Sequence, residues 1–456
     1  MSTQGVRNFK PKVHFTPPSM WSNDPNGMVY IDGIWHLYYQ FHPKEAVWGP
    51  MHWGHAVSKD LLHWEHLPIA LYPDELGYIF SGSMAYDKQN TSGFAKDGEI
   101  PMVAMYTSHR PEDGLEQQSI AYSLDGGFHF EKFYGNPVLE NPDLSDFRDP
   151  KVFWNRKKEC WSMILAAKDR AYIYASEDLK RWRITGEFGA EESLVKTTWE
   201  CTDLFPVPGD EGEKWVLMVS MMEPKEHGWA RIQYFVGDFD GDTFHSTESK
   251  GETLWLDFGF DNYAGVTFHN YRKPIYLGWG VNPAYANLAP TGEYAGLMTI
   301  ARELKLVRTK KGYRIAATPF GIDSLRAVSH PMLDGDDLLS ESFGLIVRGS
   351  GGEIVFKNQI DQKLIISVTR DTISVDRSQA GERKFSEKFE SELYSLTKVE
   401  RLESQDVNME VLFDVSYLEV FADGGLETVS MVLYPDAPYQ TLEISGDLKV
   451  EIYKLY

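Results

Sequence analysis

Three acidic residues are the first candidates for chemistry. An Asp-Pro pair occurs at Asp24-Pro25 and again at Asp149-Pro150, and Glu200 lies between Trp199 and Cys201. The residue before a proline is driven into an extended conformation, and proline is tolerated as the first residue of a strand. Each Asp is therefore aimed by a stiff local backbone, although a single Asp-Pro is also a common turn dipeptide. Glycosidic cleavage needs one carboxyl group as acid and a second as nucleophile or base. Like charges at close range resist joint ionisation, which keeps one of them protonated near neutral pH. Metal binding is the other use of such a cluster, but these three carry no calcium-loop spacing. No metal and no cofactor is expected.

Residues so far apart in the chain converge only if a repeat brings them together. A strand-like apolar run recurs as Trp35–Phe41, Met102–Tyr106, Trp161–Leu165, Trp215–Val219 and Ile275–Trp279. Five copies, each with room for a four-stranded meander, predict a five-bladed β-propeller. A polar turn closed by an aromatic recurs in step with it, at Ser58–Trp64, Ser123–Phe130, Ser176–Trp182 and Gly237–Phe244. Ser and Asp favour such turns through side-chain bonds to the backbone, and the closing aromatic is expected to pack between blades. Asp24 lies 11 residues before Trp35, Asp149 12 before Trp161, and Glu200 15 before Trp215. Residues just ahead of each innermost strand should gather at one mouth of the central channel, so the three carboxylates share one phase of the repeat.

The texture changes near residue 335, where short alternating strands such as Glu353–Lys357, Lys363–Val368 and Leu418–Phe421 follow one another closely. That pattern predicts a β-sandwich. The expected organisation is all-β: a five-bladed β-propeller over 1–318, a linker with a short helix over 319–332, and a β-sandwich over 333–456.

Of the 456 residues, 45 are Lys or Arg and 67 are Asp or Glu, a net charge of −22. A field of that sign repels nucleic acid and anionic membranes, which leaves a small neutral ligand as the expected partner. The aromatic share of 14% suits strands and also suits the apolar C–H face of a sugar. No apolar run is long enough to span a membrane. The first twelve residues lack the apolar core of a secretory signal, and two cysteines make no disulfide framework, so a cytoplasmic location is expected. Oligomeric state is not legible.

With the motifs in view, the chain resembles glycoside hydrolase family 32. The resemblance is carried by Trp21-Ser-Asn-Asp-Pro-Asn-Gly27, Phe147-Arg-Asp-Pro150 and Trp199-Glu-Cys201, with Phe80-Ser-Gly82, the stretch Trp48–His55, Asp376-Arg-Ser378 and Leu418–Phe421 in support. It implies a propeller followed by a sandwich, and hydrolysis of β-fructofuranosides such as sucrose, sucrose 6-phosphate or fructo-oligosaccharides, with retention. By that resemblance Asp24 is the nucleophile, Glu200 the general acid/base and Asp149 the stabiliser of the transition state, with Arg148 beside it. Asn23, Gln40, Trp48, Phe80, Ser81, Trp279 and Asn282 are then sugar-contacting positions. The competing readings are an inverting propeller glycosidase of the arabinan-cleaving kind and a propeller that only binds sugar.

The chain departs from the family pattern at Ser22, at Thr202, and around Pro283–Tyr285 and Tyr294–Gly296. These bear on the leaving-group side and leave the core chemistry untouched. The histidines between His36 and His66 match no zinc motif and are read as packing and strand-edge groups. Cys201 is read as a buried small residue, Asp203 as a support for the acid/base or a turn cap, and Glu387–Glu400 as a solvated face.

Overall fold

The computed structural model describes residues 7–456 apart from 97, 190, 210–211, 224–229, 249–250, 339 and 404–405. The first part of the chain forms five antiparallel blades around one axis. Blade I contains Met20–Ile31, Ile34–His42, His52–Ser58 and Trp64–Leu71, and blade II contains Tyr78–Tyr86, Met102–Arg110, Leu115–Ser123 and Glu131–Lys132. Blade III contains Arg148–Asn155, Cys160–Ala167, Arg170–Ser176 and Arg183–Gly189. Blade IV contains Trp199–Gly209, Gly212–Met221, Arg231–Phe239 and Phe244–Ser246. Blade V contains Tyr263–Thr267, Ile275–Trp279, Arg302–Thr309 and Gly312–Pro319. The ring closes where Tyr294–Ala295 pairs in parallel with Met20 and Trp21.

The recurring apolar run is the second strand of each blade, and not the innermost one. Its unbroken hydrophobicity has a simple cause. Alternate side chains of this strand point to opposite faces, and both faces are covered by neighbouring blades. Met102, Ala104 and Tyr106 pack against blade I, while Val103 and Met105 pack against blade III. Strands buried on both faces read as continuous apolar runs. The polar turns join third strands to fourth strands. Ser58 and Asp60, Ser123 and Asp125, and Ser176 and Asp178 each accept backbone N–H groups across the turn. The closing aromatics Phe130, Trp182 and Phe244 do pack between blades.

A short helix, Asp323–Arg326, follows blade V. The C-terminal part is a β-sandwich built around the 16-residue strand Ser342–Lys357. Its first half pairs with Val407–Asp414 and its second half with Lys363–Val368, while Thr441–Lys454 runs along its other edge. One strand serves both layers because it bends at Gly349–Gly352, where the ladder shifts register. A Cβ at Gly352 would lie 2.0 Å from the Ser445 carbonyl oxygen, so only glycine allows the two strands to approach there. The stretch read as one solvated face, Glu387–Glu400, holds a helical turn at Glu387–Glu390 with Phe389 buried, then the edge strand Leu396–Glu400.

Two buried ionic clusters join propeller to sandwich. Arg302 of blade V donates to Asp257 at 2.9 Å and to Glu419 of the sandwich at 2.5 Å. His14 bridges Asp414 (2.9 Å) and Glu419 (2.8 Å). In the second cluster, Arg377 of the sandwich meets Asp261 of the propeller at 2.7 Å. Breaking such a pair from one side costs about 3–5 kcal/mol, because the other charge is left buried.

Burial alone would push the His14 imidazole down, but the hydrogen bonds and charges of Asp414 and Glu419 outweigh it and raise the group to about 9. A raised histidine contributes stability in full below its unfolded value of about 6.5 and loses it as pH rises through 9. Denaturant unfolding should therefore show a loss of about 3 kcal/mol across that window from this group. His14→Gln should flatten the slope; an unchanged slope would show that the imidazole does not titrate there.

Candidate active site

In all five blades the innermost strand carries a bulge at the same point. Two residues stand opposite one: Asn23–Asp24 face Gln40, Phe80–Ser81 face Thr107, Asp149–Pro150 face Leu165, Cys201–Thr202 face Val219, and Ala264–Gly265 face Gly278. A bulge re-aims side chains that a regular pleat would send to alternate faces. In blades III, IV and V the first bulged residue is left-handed without being glycine: Asp149 at φ 67°, Cys201 at 47° and Ala264 at 53°. Such conformations cost about 1–3 kcal/mol each, so the surrounding packing must hold them. The carboxylates thus sit on the innermost strands themselves. The unequal counts back to the apolar run are hairpin lengths.

The bulges of blades I, II and III, with the residues just before those of blades IV and V, Glu200 and Tyr263, line one cavity of about 600 Å³ at the mouth of the channel. It is bounded by Asn23, Asp24, Gln40, Trp48, Phe80, Ser81, Arg148, Asp149, Glu200 and Trp279. Every candidate from the sequence is there except Asn282. That side chain is buried; its amide donates to the Phe260 carbonyl at 2.7 Å and its Oδ1 accepts from Ala284 N at 2.9 Å. Asn282 shapes the turn that follows it and does not face the cavity.

Asp24 accepts from Asn23 Nδ2 at 2.9 Å on Oδ1, and from Ser81 Oγ at 2.5 Å and Cys201 Sγ at 3.4 Å on Oδ2. Trp21 Nε1 holds Asn23 in turn at 2.7 Å. Burial raises the Asp24 carboxyl above its ordinary value; the Ser81 and Asn23 hydrogen bonds oppose the shift and the Glu200 charge adds to it. The Cys201 thiol is itself pushed up by burial and by the three carboxylates, so it stays protonated and acts as a donor. Its backbone N–H reaches Asp149 Oδ2 at 2.9 Å. The Asp149 N–H goes to Thr107 Oγ1 at 3.0 Å.

Both oxygens of Glu200 are held. Arg148 donates to Oε1 through Nη2 (2.9 Å) and Nε (3.2 Å), and the Tyr263 hydroxyl donates to Oε2 at 2.5 Å. Arg148, Glu200 and Tyr263 each precede the bulge in successive blades, so equivalent positions of the repeat form one hydrogen-bonded chain. Arg148 also meets Glu116 (3.2 Å) and Asp146 (2.8 Å). The rim adds Trp48, edge-on to Phe80 at 6.1 Å, and His109, stacked on Phe80 at 4.2 Å.

Tyr263, Glu116, Asp146 and His109 were not singled out from the sequence. Tyr263 lies 12 residues before Ile275, so the count used for the carboxylates would have found it. Glu116 opens a third strand and carries no such signal. Among the described residues no group of three or more His, Cys, Asp or Glu is arranged to hold a metal ion.

Burial pushes the Asp149 carboxyl up to about 8; Arg148 opposes this, while Glu200 and Asp24 reinforce it. A carboxyl raised in the folded state lowers stability as pH climbs from about 4 towards 8. Asp149→Asn should therefore raise Tm more at pH 8 than at pH 5. An equal change at both pH values would refute the shift.

Sequence profiles of two domains match the chain: the glycosyl hydrolases family 32 N-terminal domain over residues 14–319, and the family 32 C-terminal domain over residues 334–453. The levanase of Bacillus subtilis (strain 168) is 41% identical over 476 residues, spanning 97% of this chain and 69% of the levanase. The extracellular exo-inulinase of Aspergillus awamori is 32% identical over 510 residues, spanning 98% and 94%. Among solved structures, the E230A fructofuranosidase from Schwanniomyces occidentalis complexed with fructosylnystose superposes with a TM-score of 0.88 at 26% identity, covering 100% of this chain and 99% of that one.

Proposed function

The chain belongs to glycosyl hydrolase family 32 and hydrolyses β-fructosides with release of fructose, and from that premise we propose how its residues divide the work. Asp24 attacks the anomeric carbon of the fructosyl unit and forms a covalent fructosyl-enzyme. Glu200 protonates the departing oxygen, then takes a proton from the water that releases fructose. Asp149 stabilises the positive charge that develops on the sugar ring and holds its hydroxyls. The observation that carries this reading is the convergence of three carboxylates from three blades on one cavity, each with different partners. Asp24 has three side-chain donors. Glu200 has one cation, whose two donors occupy Oε1, and one phenol, which fixes its plane and leaves a lone-pair direction on Oε2 for sugar or water.

Asp24→Ala should abolish turnover. Glu200→Gln should lower kcat about 10²–10⁴-fold, the usual worth of a general acid/base. Proton NMR of the first fructose released checks the stereochemistry: the retained anomer is expected, and inverted product would remove Asp24 from the nucleophile role in favour of an inverting hydrolase.

The substrates proposed are unphosphorylated: sucrose and fructo-oligosaccharides. Asp24, Glu116, Asp146, Asp149 and Glu200 line the cavity together with one permanent cation, Arg148, already committed to three carboxylates. Among the described lining residues no further Lys or Arg is present to receive a phosphate. Released glucose or glucose 6-phosphate, measured side by side, should give a kcat/KM at least tenfold higher for sucrose than for sucrose 6-phosphate; the reverse order would overturn this preference. A cytoplasmic location is kept as a proposal, supported by two unpaired cysteines, Cys160 and Cys201. Activity found mainly in the medium on fractionation would reject it.

A further inference from the structure

Glu200 is held from two sides, and the two supports differ in origin. Arg148 comes from blade III within the propeller. Tyr263 opens blade V, and Asp261, two residues before it, is fastened to the sandwich. Asp261 N donates to the Ser430 carbonyl at 3.1 Å, and the Asp261 carbonyl accepts from Tyr417 OH at 2.5 Å. Asp261 Oδ2 accepts from Arg377 Nη1 at 2.7 Å and from Val432 N at 2.9 Å. Asp261 Oδ1 accepts from Tyr285 OH at 2.5 Å.

Arg377 lies on the sandwich strand Thr372–Gln379 and is 1% exposed. Its guanidinium lies 4.1 Å from the Phe389 ring centre and 5.0 Å from that of Phe260. It also donates to the Tyr285 hydroxyl at 3.0 Å. Tyr285 leads directly into Ala286 and Asn287, which line the cavity, and Asn287 Oδ1 accepts from Trp48 N at 2.8 Å. One sandwich side chain thus stands behind both the phenol on Glu200 and the wall that carries Trp48.

We infer that Arg377 is a positioning residue for the acid/base: through Asp261 it fixes the start of blade V, so that Tyr263 presents its hydroxyl to Glu200. The sandwich then sets how well the leaving group is protonated, besides adding stability. This rests on Glu200 being the acid. Arg377 is charged, planar and enclosed: the Tyr394 carbonyl at 2.8 Å and the Val432 carbonyl at 2.9 Å hold its plane, while Nη1 reaches Asp261 Oδ2 directly and Nη2 reaches Oδ1 through the Tyr285 hydroxyl, so Asp261 is fixed in direction as well as in distance. A neutral replacement leaves the Asp261 carboxylate buried without its cation, free to draw the segment towards another donor.

The test separates leaving-group protonation from general damage. Sucrose needs its leaving oxygen protonated; 4-nitrophenyl β-D-fructofuranoside has a leaving group that departs with little help. For both, kcat/KM reports the route up to bond cleavage. Arg377→Met and the milder Asp261→Asn are measured with Arg401→Met, which breaks a different buried pair inside the sandwich, Arg401 with Asp423 at 2.7 Å. Arg377→Met and Asp261→Asn should lose tenfold or more in kcat/KM on sucrose and less than threefold on the aryl substrate. Arg401→Met should lower Tm without that split. Equal losses on both substrates, or the same split in Arg401→Met, would overturn the inference. Should Arg377→Met not fold, Asp261→Asn decides. Glu200→Gln serves as the reference: if it treats the two substrates alike, the acid assignment itself fails, and that failure is visible independently of Arg377.

Discussion

A regular strand sends neighbouring side chains to opposite faces, and a propeller channel offers each innermost strand only one open end. The bulge resolves this conflict. By setting two residues against one at the same level in every blade, it turns side chains that the pleat would bury towards the mouth of the channel. Asn23 with Asp24, Phe80 with Ser81, and Asp149 all reach the cavity this way. The residue facing the bulge is recruited as well: Gln40 lines the cavity and Thr107 holds the Asp149 backbone. In blades IV and V the residue just before the bulge, Glu200 or Tyr263, lines the cavity instead. The left-handed residues in three of the bulges are the local cost, and the packed second strands behind them are what sustains it.

That arrangement concentrates negative charge. One guanidinium is shared among Glu200, Glu116 and Asp146, while Asp24 and Asp149 rely on neutral donors. The division suits a displacement at a sugar carbon. Asp24, proposed to attack, is aimed by neutral hydrogen-bond donors, whereas Glu200, proposed to exchange a proton, is set in a rigid frame of guanidinium and phenol. The same imbalance underlies the proposed preference for unphosphorylated sugars, since an anion meets more carboxylates than cations.

Much of this was legible in the chain because the repeat is regular where it is buried on both faces. The runs beginning at Trp35, Met102, Trp161, Trp215 and Ile275 mark the second strands, and the Ser/Asp turns mark the step from third strand to fourth. Counting back from the runs reaches Asp24, Asp149 and Glu200 because hairpins in blades I, III and IV have similar lengths. The count fails in blade II, where the stretch between Tyr86 and Met102 puts Ser81 far from its run; Ser81 came from family resemblance instead. Tyr263 was within reach of the same count, but a tyrosine does not stand out in a search for carboxylates. Glu116 and His109 come from the outer part of a hairpin, where no periodicity points at the channel. Asn282 lies off the cavity: amides that bond sugars and amides that bond backbone look alike in sequence, and burial does not separate them either, since Gln40 is as enclosed as Asn282; only the place on the cavity wall does. The partnership of Arg377 with Asp261 joins residues 116 positions apart and has no sequence signature beyond the resemblance of Asp376-Arg-Ser378.

A circle of blades has one seam, and here it joins the first strand to blade V at two places: Tyr294 and Ala295 lie alongside Met20 and Trp21, and His269 pairs with Val29, its N–H donating to the Met28 carbonyl at 2.8 Å and its carbonyl accepting from Tyr30 N at 3.0 Å. Three positions beyond Trp21 stands Asp24. Asp24, the carboxylate proposed to attack, therefore stands on the strand between the two places where the ring is joined. For this architecture, closing the circle and aiming that carboxylate are tasks of one strand.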